Sequence, residues 1–545
     1  MFGAGAMTNS IDEIRDADLL FVTGSNTTEA HPIIAMEMKR AIQRGAKLIV
    51  SDPRKIWLAD MADIFLQIRP GTDVWLLNAM ANVIISEGLT DDDFIARSTE
   101  GFEKVKAATA KYSPEEAEKV TGAPAELIRE AARIYATTEK AGIYYTLGIT
   151  EHTHGTDNVY CLANLVLMTG HLGKRSAGMN PLRGQNNVQG ANDAGASPIF
   201  YPGYQNVTDE SARKKFEEAW GVELSPNEGQ NLNVMMKSVI KGKIRGLYVM
   251  GEDIVISEPN ASKLEVGLNE NCEFLVCQEI FHNVTTRFAD VVLPGACFAE
   301  KDGVFTNSDR RVQRVRKAVD PPGNAREDWR ILIDFAKASG YPMPDYASPS
   351  EIYDEMAALT PKVAGISHRR LEENIMGLQW PCPDPDHPGT PTLHIDGPLK
   401  GKADFQAVEY RPSDELPDDE YPLVLSTGRV LYHYNAATQT RREAGSMAKI
   451  GRNFIEMNRK DARRLGFHDG EIVDVVSRRG RIDAEVMISP RMRVGCVWMP
   501  MHFEESRANL LTNDAGDPVT QTGEYKVCAV RVEGRNGNGH KNPER

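Results

Sequence analysis

Apolar residues in the first half of the chain come in short unbroken runs that end in glycine or polar turns. Residues 18–23 (DLLFVT) lead into Gly24-Ser25-Asn26, a helically spaced stretch follows over about 31–43, and 47–50 (KLIV) ends in Ser51-Asp52-Pro53-Arg54. Such runs fit strands buried on both faces, and strand, turn, helix, strand predicts a βαβ unit with a parallel sheet. Leu127, Ala131, Ile134 and Tyr135 keep helical spacing after Pro124, and 143–147 (IYYTL) predicts a further strand ending at Gly148. The pattern returns at 246–250 (GLYVM), which ends in Gly251-Glu252-Asp253, and at 273–277 (EFLVC), which ends in Gln278-Glu279. Gly24 to Asp52 spans 28 residues and Gly251 to Gln278 spans 27. The echo predicts two related doubly wound α/β domains, each with a crevice at its strand ends where nucleotide phosphates bind. Two unrelated α/β domains satisfy the same spacing.

The pattern changes after about residue 298. Pro321-Pro322-Gly323, Pro383-Asp384-Pro385 and Pro391 predict a loop-rich connection, and 414–421 (DELPDDEY) reads as an acidic linker. Strand-like segments at 423–426, 472–477, 482–488 and 496–499, with turns at Gly470 and Gly480, predict a final β-barrel domain. The polar tail from Gly534 is expected to be disordered. An apolar helix through 162–168 closes at Gly170, and from there to Gly195 no apolar period is sustained, so the stretch reads as a long connection without structure of its own.

Composition narrows the function. The 545 residues carry a formal charge of −14, with 41% hydrophobic and 26% charged residues. That balance fits a soluble multidomain protein and argues against a general nucleic-acid binder. No run approaches the ~18 apolar residues of a membrane span. Met1–Ser10 has neither the charged nor the apolar region of a secretory signal, which points to the cytoplasm. Seven scattered cysteines form no Cys-x-x-Cys pair, so no zinc or iron–sulfur cassette is visible. The pairs His152/His154 and His31/His171 lack the ligand count of a metal site.

The least ordinary stretch is NPLRGQNNVQGANDAG, residues 180–195. Glycines allow close backbone approach to a ligand, and clustered amides suit a flat polar ring system. Arg183 adds a planar fork that matches a carboxylate. An arginine that merely ties a structured loop together fits the same residues.

This stretch closely resembles the signature loop of formate dehydrogenase catalytic subunits, in the molybdenum/tungsten bis-molybdopterin guanine dinucleotide (dimethyl sulfoxide reductase) family. AMTNSIDEI, SDPRK, MGED, ADVVLP, DGVFTNSDRR, LSTGR and EYKVCAVRVE resemble family segments in family order, over nearly the whole chain. The resemblance implies that Arg183 orients formate and that Gln185 lines the same pocket. It implies that Asn26, Glu29, Asp52, Arg54, Gly71 and Asp73 hold one guanine dinucleotide, although the family often has Asp where Glu29 stands. Gly148 falls in a pterin-contacting turn. Gly251, Asp253 and Gln278 match the second crevice, while Arg429, His433, Asn513, Tyr525 and Lys526 match segments that close over the two pterins. The implied division is 1–185 and 186–297 for the two α/β domains, 298–413 for the connection, and 414–545 for the barrel.

The family's [4Fe–4S] cysteines and its Cys or selenocysteine metal ligand precede the segment that matches Met1–Met7, so no residue here is assigned as a metal ligand. The expectation is a downstream part of a catalytic subunit, and one route to it is an in-frame UGA read as a stop. Periplasmic location becomes an option if a preceding segment carries a signal. The implied partners are formate and iron–sulfur or flavin electron-transfer subunits, with neither nucleic acid nor direct membrane insertion. The rivals are a non-catalytic cofactor-binding or scaffold subunit, and another oxyanion oxidoreductase of the family such as a nitrate reductase.

Overall fold

The computed structural model describes residues 1–535. Its first sheet is built from β1 (Leu19–Thr23), β2 (Lys47–Ser51), β3 (Ile64–Leu66), β4 (Ala141–Tyr145) and β5 (Gly178–Pro181). All pairings are parallel and the order is β3-β2-β1-β4-β5. Alternate residues of β1 feed two separate cores, Leu19 and Phe21 on one face, Leu20 and Val22 on the other. That explains the unbroken apolar run, since both faces are covered by helices. Helix α1 (Pro32–Gln43) places Ile34, Met38 and Ala41 on one face. Helices α2 (Asp73–Ser86) and α3 (Gly155–Met168) place Leu77, Met80, Leu162 and Val166 on the other. Each fully buried Leu or Phe contributes about 1.5–3 kcal/mol, far more than strand propensity does.

The strand order reverses between β1 and β4, and two glycines meet at the carboxyl ends there. Gly148 N donates to Gly24 O at 3.1 Å. A Cβ on Gly24, whose φ is +54°, would fall 2.7 Å from the Gly148 carbonyl carbon, and one on Gly148 would fall 2.6 Å from Gly24 O. Only glycine fits at both positions, and the bare backbone leaves a crevice at the switch point of the sheet.

The second α/β unit is smaller. Strands β6 (Gly246–Met250), β7 (Phe274–Glu279) and β8 (Val291–Pro294) form a parallel sheet of order β8-β7-β6. The C-terminal part is a closed six-stranded barrel. Its strands are β9 (Leu423–Gly428), β10 (Phe454–Met457), β11 (Ile472–Val476), β12 (Arg481–Ile488), β13 (Cys496–Pro500) and β14 (Cys528–Gly534). Leu423, Leu425, Ile455, Val473, Val475, Val497 and Val530 fill its interior.

Four expectations are corrected. Residues 170–195 are not structureless, because they carry β5 and the short helix α4 (Val188–Asp193). Both elements are too short and too polar to show a hydrophobic period. The 298–413 stretch is more than loops. It holds an antiparallel sheet of Gly303–Thr306, Arg311–Val315 and Leu378–Gln379, and helices Asp328–Ala338 and Pro349–Leu359. The acidic 414–421 segment is anchored, with Glu415 pairing with Arg478 and Arg479 and Asp418 pairing with Arg478. The expected tail does not start at Gly534, which closes β14, and its residues 536–545 lie outside the described residues.

Candidate active-site cleft

A cleft of 440 Å³ opens where the carboxyl ends of the first sheet face the barrel. One wall comes from the turns after β1, β2 and β4, including Gly24, Asn26, Glu29, Asp52, Arg54, Thr146 and Gly148. The opposite wall comes from the loop after β9, residues 429–435, together with Trp498 and Lys526. Leu182, Gly184, Gln185 and Asn186 form the rim between them. The signature loop is pinned to the barrel there, since Asn186 N donates to Tyr434 Oη at 2.9 Å and Tyr434 Oη donates to Asn186 Oδ1 at 3.1 Å.

Charge is distributed unevenly around this space. Arg54 donates through Nε to Glu456 Oε2 at 2.7 Å and lies over the Trp498 ring at 4.3 Å, so its guanidinium is locked between sheet and barrel. Lys526 Nζ pairs with Glu151 at 2.7 Å and donates to Thr427 O at 2.9 Å. Arg429 donates to Asn435 Oδ1 at 3.4 Å and has no carboxylate partner among the described residues. Deep on the acidic side, Asp52 Oδ1 accepts from Arg54 N at 2.9 Å. Desolvation pushes the Asp52 carboxyl up to about 7 and that of Asp73 up to about 6. Two carboxyl groups without strong cation pairing suit a ligand that brings N–H or O–H donors. His433 is buried with both ring nitrogens engaged, Nδ1 by Thr440 Oγ1 at 3.1 Å and Nε2 by Ile450 O at 2.7 Å. It shapes the wall through its ring.

Arg183 does not itself line the cleft; it stands two residues past β5, between Leu182 and Gly184, which do. Its backbone is held twice, with Arg183 N donating to Ser308 Oγ at 3.1 Å and Arg183 O accepting from His31 Nε2 at 2.9 Å. Burial lowers the His31 pKa, consistent with a neutral ring donating through Nε2. The guanidinium is half-buried, donating from Nη2 to Gly5 O at 2.7 Å and from Nε to Gln189 Oε1 at 3.3 Å. Nη1 has no acceptor, and the group makes no ion pair, among the described residues. Arg183 therefore ties the loop and keeps an unused donor edge.

Of the other expected residues, Gly71, Gly251, Asp253, Gln278, Asn513 and Tyr525 do not line this cleft. Gly71, at φ +77°, packs under Ser413 and Val527. Asp253 organises the second unit, accepting from Val284 N, Thr285 N and Thr285 Oγ1. Gln278 bonds Tyr248 and donates to Asp328 Oδ1 at 2.6 Å. Gly251 faces open space. Asn513 Oδ1 accepts from Ala515 N at 3.0 Å, and the Tyr525 main chain joins β9 through Thr427. Burial and the neighbouring Glu258, Glu151 and Glu252 raise the Tyr525 hydroxyl pKa. Asp253 also lines a separate 170 Å³ cavity with His282, Asn283, Ala437 and Arg441, beside the second sheet.

Several participants carry no local sequence signal. Glu456 sits mid-strand, where an acid reads as solvent-facing, and Trp498 reads as core. His152, on the cleft, faces the buried Glu524 at 3.2 Å, and that carboxylate raises its pKa.

The molybdopterin oxidoreductase family model matches residues 2–338, and the molydopterin dinucleotide binding domain model matches 423–529, which takes in five barrel strands and the start of the sixth. The chain belongs to the molybdopterin oxidoreductase family. It is 49% identical to the F420-dependent formate dehydrogenase subunit alpha of Methanocaldococcus jannaschii, over 98% of this chain and 79% of that protein. It is 41% identical to formate dehydrogenase H of Escherichia coli, over 97% of this chain and 75% of that protein. Among solved structures, acetylene hydratase from Pelobacter acetylenicus superposes with a TM-score of 0.74 at 19% identity, covering 97% of this chain and 79% of that one. That likeness shows the fold alone. The chain is thus a molybdopterin-dependent oxidoreductase with a pterin dinucleotide-binding barrel. Among the described residues no helix is long and apolar enough to cross a membrane.

Proposed function

We propose that this chain oxidises formate to carbon dioxide, a proton and two electrons at a bis-molybdopterin guanine dinucleotide centre holding molybdenum or tungsten. The single observation that carries the reading is the free donor edge of Arg183, a residue whose chain neighbours Leu182 and Gly184 line the dinucleotide cleft. A half-buried guanidinium without a carboxylate partner is matched in charge and shape to a one-carbon acid.

The residues present fit the cofactor. The Gly24–Gly148 contact leaves bare backbone at the strand ends, which allows close approach of a large planar group. Arg429 and Lys526 supply positive charge for a pyrophosphate, and Glu29, Asp52 and Asp73 supply acceptors for ribose hydroxyls and the guanine N–H edge. For the second dinucleotide the resemblance points to Gly251, Asp253 and Gln278; Gly251 leaves open space and Asp253 borders the 170 Å³ cavity, while the Gln278 amide is already held by Tyr248 and Asp328. When bound, the cofactor supplies the two-electron redox capacity. This chain's residues do the positioning. Arg183 holds the carboxylate so that the C–H bond has one direction, Gln185 borders the same space, and Tyr434 fixes the loop that carries both. Electrons then pass to an iron–sulfur or flavin partner subunit.

Two measurements on the holoenzyme test this. Acid hydrolysis should release two guanosine monophosphates per metal atom, and formate should reduce a viologen dye. Full cofactor loading with no formate-dependent dye reduction would reject the substrate assignment.

A further inference from the structure

Resting on the reading of Arg183 as the formate clamp, we infer that Gln189 and Asp193 are positioning residues that fix the orientation of its guanidinium. Both lie on α4, one turn apart, and both are buried. Gln189 Nε2 donates to Asp193 Oδ1 at 2.8 Å and to Tyr204 Oη at 2.8 Å. Tyr204 Oη donates to Asp193 Oδ1 at 2.9 Å, and Trp380 Nε1 donates to Asp193 Oδ2 at 2.7 Å. Burial raises the Asp193 pKa, and its three side-chain donors and the nearby Arg183 charge oppose that rise; every partner of Asp193 is a donor, as an ionised carboxylate requires.

The consequence falls on the amide of Gln189. With its NH2 group held by a carboxylate, its Oε1 must face Arg183 Nε. The flipped amide would set Oε1 against the Asp193 carboxylate and NH2 against the guanidinium N–H, so two attractive contacts would become two repulsive ones. A negative charge two bonds of the network away thus sets the acceptor that Arg183 sees. The Gln189 and Gly5 acceptors together fix the guanidinium plane and leave Nη1 for the substrate. A carboxylate placed directly on Arg183 would hold it as firmly but would compete with formate for the same charge. A neutral amide set between them orients the fork and keeps the carboxylate off its donors, so Arg183 feels Asp193 only through space and spends less of its charge than in a direct pair.

The test uses the holoenzyme, with two readouts. The first is the formate KM and kcat by dye reduction. The second is mass-spectrometric detection of phenylglyoxal labelling at Arg183, with and without formate, which needs no turnover. Gln189→Met should raise the formate KM by about 10- to 100-fold while kcat changes by less than about threefold. Formate at wild-type concentrations should no longer protect Arg183 from labelling. Asp193→Asn should raise KM in the same way, and combining it with Gln189→Met should add little, because both act through one contact. If Gln189→Met does not fold, Asp193→Asn decides by the same two readouts. Wild-type KM and wild-type protection in these variants, with Arg183→Lys impaired, would overturn the positioning role and leave the clamp standing. Effects of the two substitutions that simply multiply would mark them as structural and also overturn it. An Arg183→Lys enzyme with unchanged formate kinetics would reject the clamp itself, and the positioning role with it.

Discussion

Replacing Arg183 by Lys should lower kcat/KM for formate by about 100- to 1,000-fold, corresponding to about 3–4 kcal/mol of lost transition-state stabilisation. The charge survives the substitution, so a purely Coulombic role would predict a small effect. The expected loss comes from geometry. Lys offers one rotatable ammonium in place of a planar fork and cannot reach Gly5 O, Gln189 Oε1 and a substrate carboxylate together. The fold should tolerate the change, because the backbone at this position is held independently by Ser308 and His31. Steady-state kinetics on cofactor-replete enzyme, beside a thermal melt, separates the two effects. Formate turnover within threefold of wild type would show that the fork is not the clamp.

The second large effect is expected at Glu456→Ala, where a buried pair is broken from one side. The side chains of Arg54 and Glu456 are 11% and 1% exposed, and their 2.7 Å contact joins the sheet to the barrel across the cleft. Removing the carboxylate leaves a largely buried guanidinium with only the Trp498 face and the Asp52 carboxyl near its charge. Breaking such a pair costs about 3–5 kcal/mol, far more than a surface ion pair contributes. The melting temperature should fall by several degrees, and purified protein should retain less guanosine monophosphate, since Arg54 lines the cleft beside Asp52. The double variant Arg54→Met/Glu456→Met should recover much of the stability without recovering cofactor retention. If Glu456→Ala melts with wild type, the barrel is held over the sheet by other contacts.

Much of the architecture was legible for one physical reason. β1, β2 and β4 are buried on both faces, so burial imposed unbroken apolar runs with polar turns at their ends. β6 and β7 are less completely covered, yet their runs were read in the same way. The barrel strands were partly legible, because alternation was visible in β11 and β12. The four-residue β10, FIEM, was missed because Glu456 interrupts it. That acid belongs there only because Arg54, some 400 residues earlier in the chain, meets it. β5 was missed for a related reason. GMNP shows no strand period, and its pairing with β4 is decided by the sheet.

At the site, residue types were legible and roles were less so. The polar ends of β1 and β2 announced Asn26, Asp52 and Arg54, and the resemblance added Glu29; the structure gathers all four in one cleft with Gly148, Gln185, Arg429, His433 and Lys526. Asp253 and Gln278 were expected at strand ends in the same way and Asn513 from the resemblance alone, and the structure shows all three engaged with neighbouring protein groups. Whether an amide in a sequence holds a ligand or another residue depends on what the fold sets opposite it, and nearby residues carry no trace of that. The dense amides of 180–195 are a case in point. Asn187 Oδ1 accepts from Thr306 N and Asn186 grips Tyr434, while Gln189 braces Arg183.

The most direct measurement is a structure of the oxidised holoenzyme with formate bound. The account predicts the formate carboxylate within hydrogen-bond distance of Arg183 Nη1, with Nε still on Gln189 and Nη2 still on Gly5. Formate seated elsewhere in the cleft, with Nη1 bonded only to water or protein, would contradict it.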